Sequence, residues 1–164
     1  MPVYLRVHLK RPIVRQAVLV RLAELVLDTA GERQSELSIE LVGDRRMRRL
    51  NRLYRNKDRT TDVLAFSMRE AVAPHAARLT ADMLGDVVIS VPQALRQAIE
   101  AGRSPDEEFL SLLVHGVLHL CGYDHERSER EASRMQRRER QVLRAIIPVP
   151  RVMIRRVVNK ERRR

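Results

Sequence analysis

Apolar and polar residues alternate from Val3 to Leu9 and again from Glu36 to Val42, the period of a strand with one covered face. Between them, Pro12 fits a first helical turn, and Ile13 to Leu27 carries apolar residues at helical spacing, with Gly31 just beyond. Two strands joined through a helix predict a parallel βαβ unit. Asp44 is placed to cap a basic helix running to about Tyr54. Thr61–Met68 reads as a third strand and Leu84–Ser90 as a fourth, close enough in sequence to pair antiparallel. The intervening Arg69–Met83, with Pro74 and His75, reads as a surface loop. Pro92 opens a short helix that ends before Gly102.

The next helix has the clearest start in the chain. Ser104-Pro105-Asp106-Glu107 supplies an N-cap, a proline at the first helical position and a glutamate three residues after the cap. Phe109, Leu112, Leu113, Val117 and Leu120 then form an apolar stripe, and Gly122 is the natural stop. A charged amphipathic helix follows from about Ser128 to Ile147, ended by Pro148 and Pro150. The pattern therefore predicts one α+β domain over residues 1–147, with about four strands in a mixed sheet and about five helices. A basic tail covers residues 148–164. There is no internal repeat.

Composition narrows the class. Hydrophobic residues make up 44% of the 164, enough for a real core, but aromatics are only 3% and Trp is absent, so that core is aliphatic. The single Cys121 excludes an intramolecular disulfide and fits a reducing, cytoplasmic setting. The first residues carry charge throughout, unlike a signal peptide, and no run approaches the roughly 18 apolar residues of a membrane span. The formal charge is +11 and uneven. Pro148–Arg164 holds seven basic residues and one acid, and Arg45–Arg59 holds eight and one. Such clusters fit a polyanionic partner, a nucleic acid or an acidic membrane surface; the plainer alternative is a solvated face. The tail is expected to strengthen attachment to that partner, unless Val152, Ile154 and Val158 dock it as an extra strand.

Candidate chemistry concentrates in "VHGVLHLCGYDHE", Val114–Glu126, which holds three of the five histidines. His115 and His119 stand four apart on a helix and share one face. Gly122 lets the chain reverse, so that His125 can return to the same point. Three imidazoles can hold one metal and leave a fourth position open, the catalytic form of a zinc site. The spacing, with glycine at its eighth position, is the ligand frame of the metzincin proteases, H-E-x-x-H-x-x-G-x-x-H. Their general-base glutamate is missing, because Gly116 stands there. Without a metal, the stretch would be a helix end with ordinary core or surface histidines.

"HGVLHLCGYDH" resembles the signature of the YbeY family, bacterial endoribonucleases that mature ribosomal RNA. "LNRLYRNKDRTTDVLAF", Leu50–Phe66, is similar to that family's second motif block, and "LGDVVIS", Leu84–Ser90, to its third. "EEFLSLLVHG" supplies the expected lead-in helix, and the likeness covers roughly residues 36–145 in the same order. The resemblance implies a compact fold with a four-stranded sheet and a zincin-like site in which His115, His119 and His125 bind Zn²⁺, with nickel or another divalent metal also suited to three imidazoles. It implies a functional arginine at Arg55. The implied activity is metal-dependent cleavage of single-stranded RNA in rRNA processing, at the 3′ end of 16S rRNA, and in ribosome quality control. The implied partners are precursor rRNA, the small ribosomal subunit with its proteins, and a ribosome-assembly GTPase. Thr60, Ala65 and Ser67 depart from the family's common Pro, Ser and Pro, which bears on loop geometry more than on chemistry.

Within that frame Arg55 can clamp a phosphate through two parallel hydrogen bonds. Arg52, Lys57 and Arg59 are candidate RNA contacts. Asp124 either orients a ligand or shuttles a proton, or simply caps the turn at Glu126. Asp62 bonds Arg55 or Lys57, or ends a strand, and Asp86 has the same ambiguity. Tyr123 either stacks on a base or packs on the turn. His8 and His75 read as ordinary. Two alternatives accompany the nuclease: an rRNA-binding assembly factor with a structural zinc, and a metalloprotease, against which Gly116 argues.

Overall fold

The alternating segments pair as their periodicity requires. The computed structural model describes residues 2–71 and 82–154. Strand β1 (Val3–Val7) lies parallel to β3 (Glu36–Val42), and β3 parallel to β5 (Met83–Ser90). Strand β4 (Val63–Ser67) is antiparallel to β5, which gives a four-stranded mixed sheet in the order β1-β3-β5-β4 with β4 at one edge. The residues of one pleat face, Leu37, Ile39, Leu41, Val87 and Ile89, are fully buried beneath helices. Those helices are α1 (Gln16–Thr29), α5 (Pro105–Leu120) and α6 (Glu129–Ala145). Helix α4 (Val91–Ala101) packs beside α5. The opposite face carries a smaller cluster of Val42, Met47, Leu64 and Val88, covered by α2 (Asp44–Arg55). This is the α+β fold that the pattern predicts.

Three local readings are corrected. The first long helix begins at Gln16, not at Ile13. Ile13–Val14 instead forms β2, paired antiparallel with β6 (Met153–Ile154) from the tail. A two-residue strand carries no period of its own, so its apolar residues read as part of the helix beside it. Asp44 is the first residue of α2 rather than its cap; Gly43 holds that position. Its carboxylate accepts from Arg96 at 2.8 and 2.9 Å, from Ser90 at 3.2 Å and from Thr60 at 3.3 Å, tying α2 to α4 and to the strand entry. Part of the expected loop is regular: Met68–Ala71 forms a short helix, α3, and Met83 already belongs to β5. Pro74 and His75 lie outside the described residues.

The tail does not simply leave the domain at Pro148. Val152 and Met153 are buried in the main core. The Val152 carbonyl accepts from the Arg15 amide at 2.8 Å. One carboxylate oxygen of Asp106, in the first turn of α5, accepts from the amides of both Val152 and Met153 at 2.8 and 2.9 Å. The extra-strand reading therefore holds for Met153–Ile154, while residues 155–164, Val158 among them, lie outside the described residues.

Candidate metal centre and its cleft

Helix α5 places the first two candidate ligands, His115 and His119. Its start is the expected capping box: the Ser104 hydroxyl accepts from the Glu107 amide at 3.1 Å, and the Glu107 carboxylate accepts from the Ser104 amide at 3.3 Å. The helix is buried well beyond the predicted stripe. Leu110, Val114, Gly116 and Leu118 are covered as well as Phe109, Leu113 and Val117. His115 and His119 lie on its partly exposed side.

Gly116 shows how close α5 comes to the sheet. A Cβ there would stand 2.7 Å from Val87 Cγ1 and 3.3 Å from Val63 Cγ2. The position that carries the base in the proteases is therefore pressed on the sheet, with no room for a side chain.

The helix ends as its glycine requires. Gly122 has φ +97°, its amide donates to the His119 carbonyl at 3.0 Å, and the Tyr123 amide donates to Leu118 at 3.1 Å. The reversed chain brings His125 Nδ1 to 3.1 Å from His119 Nε2. The three rings stand 4.7, 5.0 and 5.1 Å apart between centroids. One ring nitrogen from each lies within 4.8 Å of the others. Ligands about 2.0–2.1 Å from a tetrahedral zinc are roughly 3.4 Å from one another, so this donor set fits a divalent metal after only small adjustment. Burial, and then the repulsion of the two neighbouring imidazoles, hold His119 below its ordinary pKa, which favours the neutral form a metal needs.

The histidines open into a cleft of about 470 Å³. One wall is the edge strand β4 with its lead-in, from Thr61 to Phe66; the other carries Tyr54 and Arg55 at the end of α2. Arg55 thus shares the cleft with all three histidines. It lies 3.9 Å from Glu126 in a loose, solvent-exposed ion pair. Asn56 ends α2 in the left-handed region at φ 58°, and the buried Asn51 amide group donates to the Arg59 carbonyl at 2.8 Å, fixing the segment that follows Arg55.

The other candidates take other parts, and of them only Asp62 also lines the cleft. Arg52, Lys57 and Arg59 are exposed and do not line this cleft; Arg59 borders a separate groove with Arg48 and Asp58. Asp124 accepts from the Glu126 amide at 3.0 Å and lies 3.5 Å from Arg127, the turn-capping alternative. Asp62 accepts from the Val63 amide at 2.7 Å and from Gln97 at 3.2 Å, so it steadies the start of β4. Asp86 points to a shallow groove on the α2 side of the sheet. Tyr123 packs against the core beneath the Arg134 guanidinium, 4.8 Å from its ring centre. The aromatic beside the histidines is instead Tyr54, 62% exposed and edge-on to Phe66 at 5.0 Å. His8 pairs with Glu40 at 3.1 Å, away from the site.

One contact was hidden in the sequence. Glu139 of α6 accepts a hydrogen bond from His115 Nδ1 at 2.6 Å, across 24 residues. It is one of many charges on that helix, and nothing in its spacing singles it out.

The chain is similar in sequence and in fold to known proteins. The model of the family described as Endoribonuclease YbeY matches residues 9–147. An Endoribonuclease YbeY of Aquifex aeolicus is 43% identical over 137 residues, covering 84% of this chain and 87% of its own. That of Geobacter metallireducens is 46% identical over 123 residues, covering 74% and 80%. A Thermotoga maritima protein solved in solution shares the fold, with a TM-score of 0.60 at 24% identity over 88% of each chain.

Proposed function

Because the chain belongs to the YbeY endoribonuclease family, we propose that it cleaves single-stranded RNA at the three-histidine cleft, in the maturation of ribosomal RNA. The observation that carries the reading is the meeting of Arg55 with His115, His119 and His125 in one cleft. Phosphodiester cleavage needs a nucleophile, neutralisation of charge developing on phosphorus-bound oxygens, and a proton for the leaving group. A divalent metal on the three imidazoles, zinc by donor type, supplies Lewis acidity to a phosphoryl oxygen and acidifies water. Arg55 holds the phosphate with its planar fork and offsets the charge that builds there. Glu126 pairs loosely with the guanidinium at 3.9 Å, a contact that the phosphate replaces. Tyr54 offers an exposed ring at the rim on which an unpaired base stacks, a contact worth about 1–3 kcal/mol and open only to single strands.

The same reading assigns Arg52, Lys57 and Arg59 to backbone phosphates beyond the cleft. It makes residues 1–147, with the docked Val152–Ile154 segment, the catalytic body and the basic residues of the tail an added RNA contact. Precursor rRNA and the small subunit are the partners it implies, together with an assembly GTPase, in the cytoplasm. Among the described residues no helix is long and apolar enough to cross a membrane. A protease reading is disfavoured, since Gly116 leaves no space for its base.

The test is cleavage of single-stranded and duplex precursor rRNA fragments by purified, zinc-reconstituted protein, with the new ends mapped. The expected result is selective cutting of single strands, lost when all three histidines are alanine. RNA binding without cutting by the metal-loaded protein would favour the assembly-factor reading, and equal cutting by the triple variant would remove the site from the reaction.

A further inference from the structure

We infer that Glu139 is a positioning residue for the metal centre, which fixes the tautomer and ring plane of His115. The inference rests on the metal reading above and adds a residue to it. About half of helix α6 is charged, and its rotation is set by buried Met135 and Val142. Glu139 lies four residues after the first and three before the second, so it belongs to the face turned toward α5. An acidic residue on a core-facing stripe needs a partner to offset its lost hydration. Arg137, Arg138 and Arg140 flank it in sequence, yet the group it bonds is an imidazole, with both side chains mostly covered at 23% and 29% exposure.

The consequence lies in the imidazole's two nitrogens. A carboxylate has no proton to give, so its bond at 2.6 Å requires hydrogen on Nδ1. In the neutral ring Nε2 is then the bare nitrogen, and it is the one left free for the centre shared with His119 and His125. The carboxylate also raises the donor strength of that nitrogen and holds the ring plane. Removing such an outer partner typically weakens metal binding about 10- to 100-fold.

The experiment compares the full chain with Glu139→Gln and Glu139→Ala variants. Zinc affinity is read by competition with a chelator. The His115 tautomer is read from long-range ¹H–¹⁵N spectra of the metal-free protein, and folding from its thermal melt. Expected are an Nδ1–H tautomer in the wild type, a mixture in the variants, and zinc binding weaker by about tenfold or more in Glu139→Ala at nearly unchanged melting. Glu139→Gln keeps the shape without the charge and should fall between, so the test survives poor folding of the alanine variant. A zinc affinity within twofold of wild type in both variants, or a wild-type His115 protonated on Nε2, overturns the inference. If wild type itself binds no zinc, the metal reading fails, while the tautomer still decides whether Glu139 sets the ring.

Discussion

Replacing Gly116 with alanine adds one methyl group where helix and sheet meet. Two effects oppose each other. Alanine is favoured over glycine in a helix interior by about 1 kcal/mol. Against that, the new Cβ would stand 2.7 and 3.2 Å from the two Val87 methyls and 3.3 Å from a Val63 methyl. Ordinary carbon contacts lie at about 3.5–4.0 Å, so something must move by close to 1 Å. Val87 cannot easily supply that movement. It is fully buried, branched at Cβ, and held on β5 between strands on both sides. Overpacking at such a point costs about 1–3 kcal/mol, and the upper part of that range applies here. The net expectation is a loss of about 1–2 kcal/mol. With a urea slope of about 2 kcal/mol per molar, the unfolding midpoint falls by about 0.5–1 M. Because the displaced helix carries His115 and His119 away from Arg55, cleavage should fall further than stability, since a 1 Å misplacement can cost about 10²-fold in rate. A midpoint equal to or above that of wild type would show that helix propensity wins and that the close approach is not a constraint.

Three other outcomes follow from single contacts in the fold, the last of them the Glu32 carboxylate accepting from Arg69 at 2.7 and 2.8 Å. Arg55→Lys keeps the charge but loses the planar fork, so single-turnover cleavage at saturating RNA should drop by about 10²-fold with an unchanged melt; a wild-type rate would reduce Arg55 to general charge. Asp106→Ala leaves the Val152 and Met153 amides without their acceptor and should cost about 1–3 kcal/mol in urea unfolding, with faster proteolysis near residue 150; resistance equal to wild type would mean that the strand docks by side chains alone. Glu32 is held below its ordinary pKa chiefly by its hydrogen bonds from Arg69, so it stabilises fully above about pH 4.5 and loses that contribution as pH falls through its lowered folded value. Unfolding midpoints of Glu32→Gln should therefore lie below wild type at neutral pH and converge with it in acid, and a gap independent of pH would refute the assignment.

What was legible in the chain depended on distance along it. The three histidines sit within eleven residues on one helix end, where a period and a glycine define their arrangement. The capping box and the four sheet strands are local in the same sense. What escaped is what the fold brings from afar. Glu139 has no spacing that distinguishes it from the other acids of α6, and only packing of α6 on α5 selects it. Ile13–Val14 finds its partner some 140 residues later, beyond any local pattern. Tyr123, beside the histidines in sequence, is the tyrosine read as either stacking on a base or packing on the turn. Tyr123 is claimed by the core and by Arg134, and Tyr54 is left at the cleft.

The β2–β6 seam also sets an order in time. Translation runs from the N-terminus, so Ile13–Val14, the Arg15 amide and the Asp106 carboxylate are all made well before the segment that satisfies them. Until residues 152–154 have been synthesised, two buried core positions are vacant and the first turn of the histidine helix lacks its clasp. The nascent chain can form its sheet and approximate the histidine cluster, but the seam closes only once residues 152–154 have been made. For a protein read as cutting ribosomal RNA, that schedule ties the firmness of the cutting site to a segment made after every strand and helix of the main sheet.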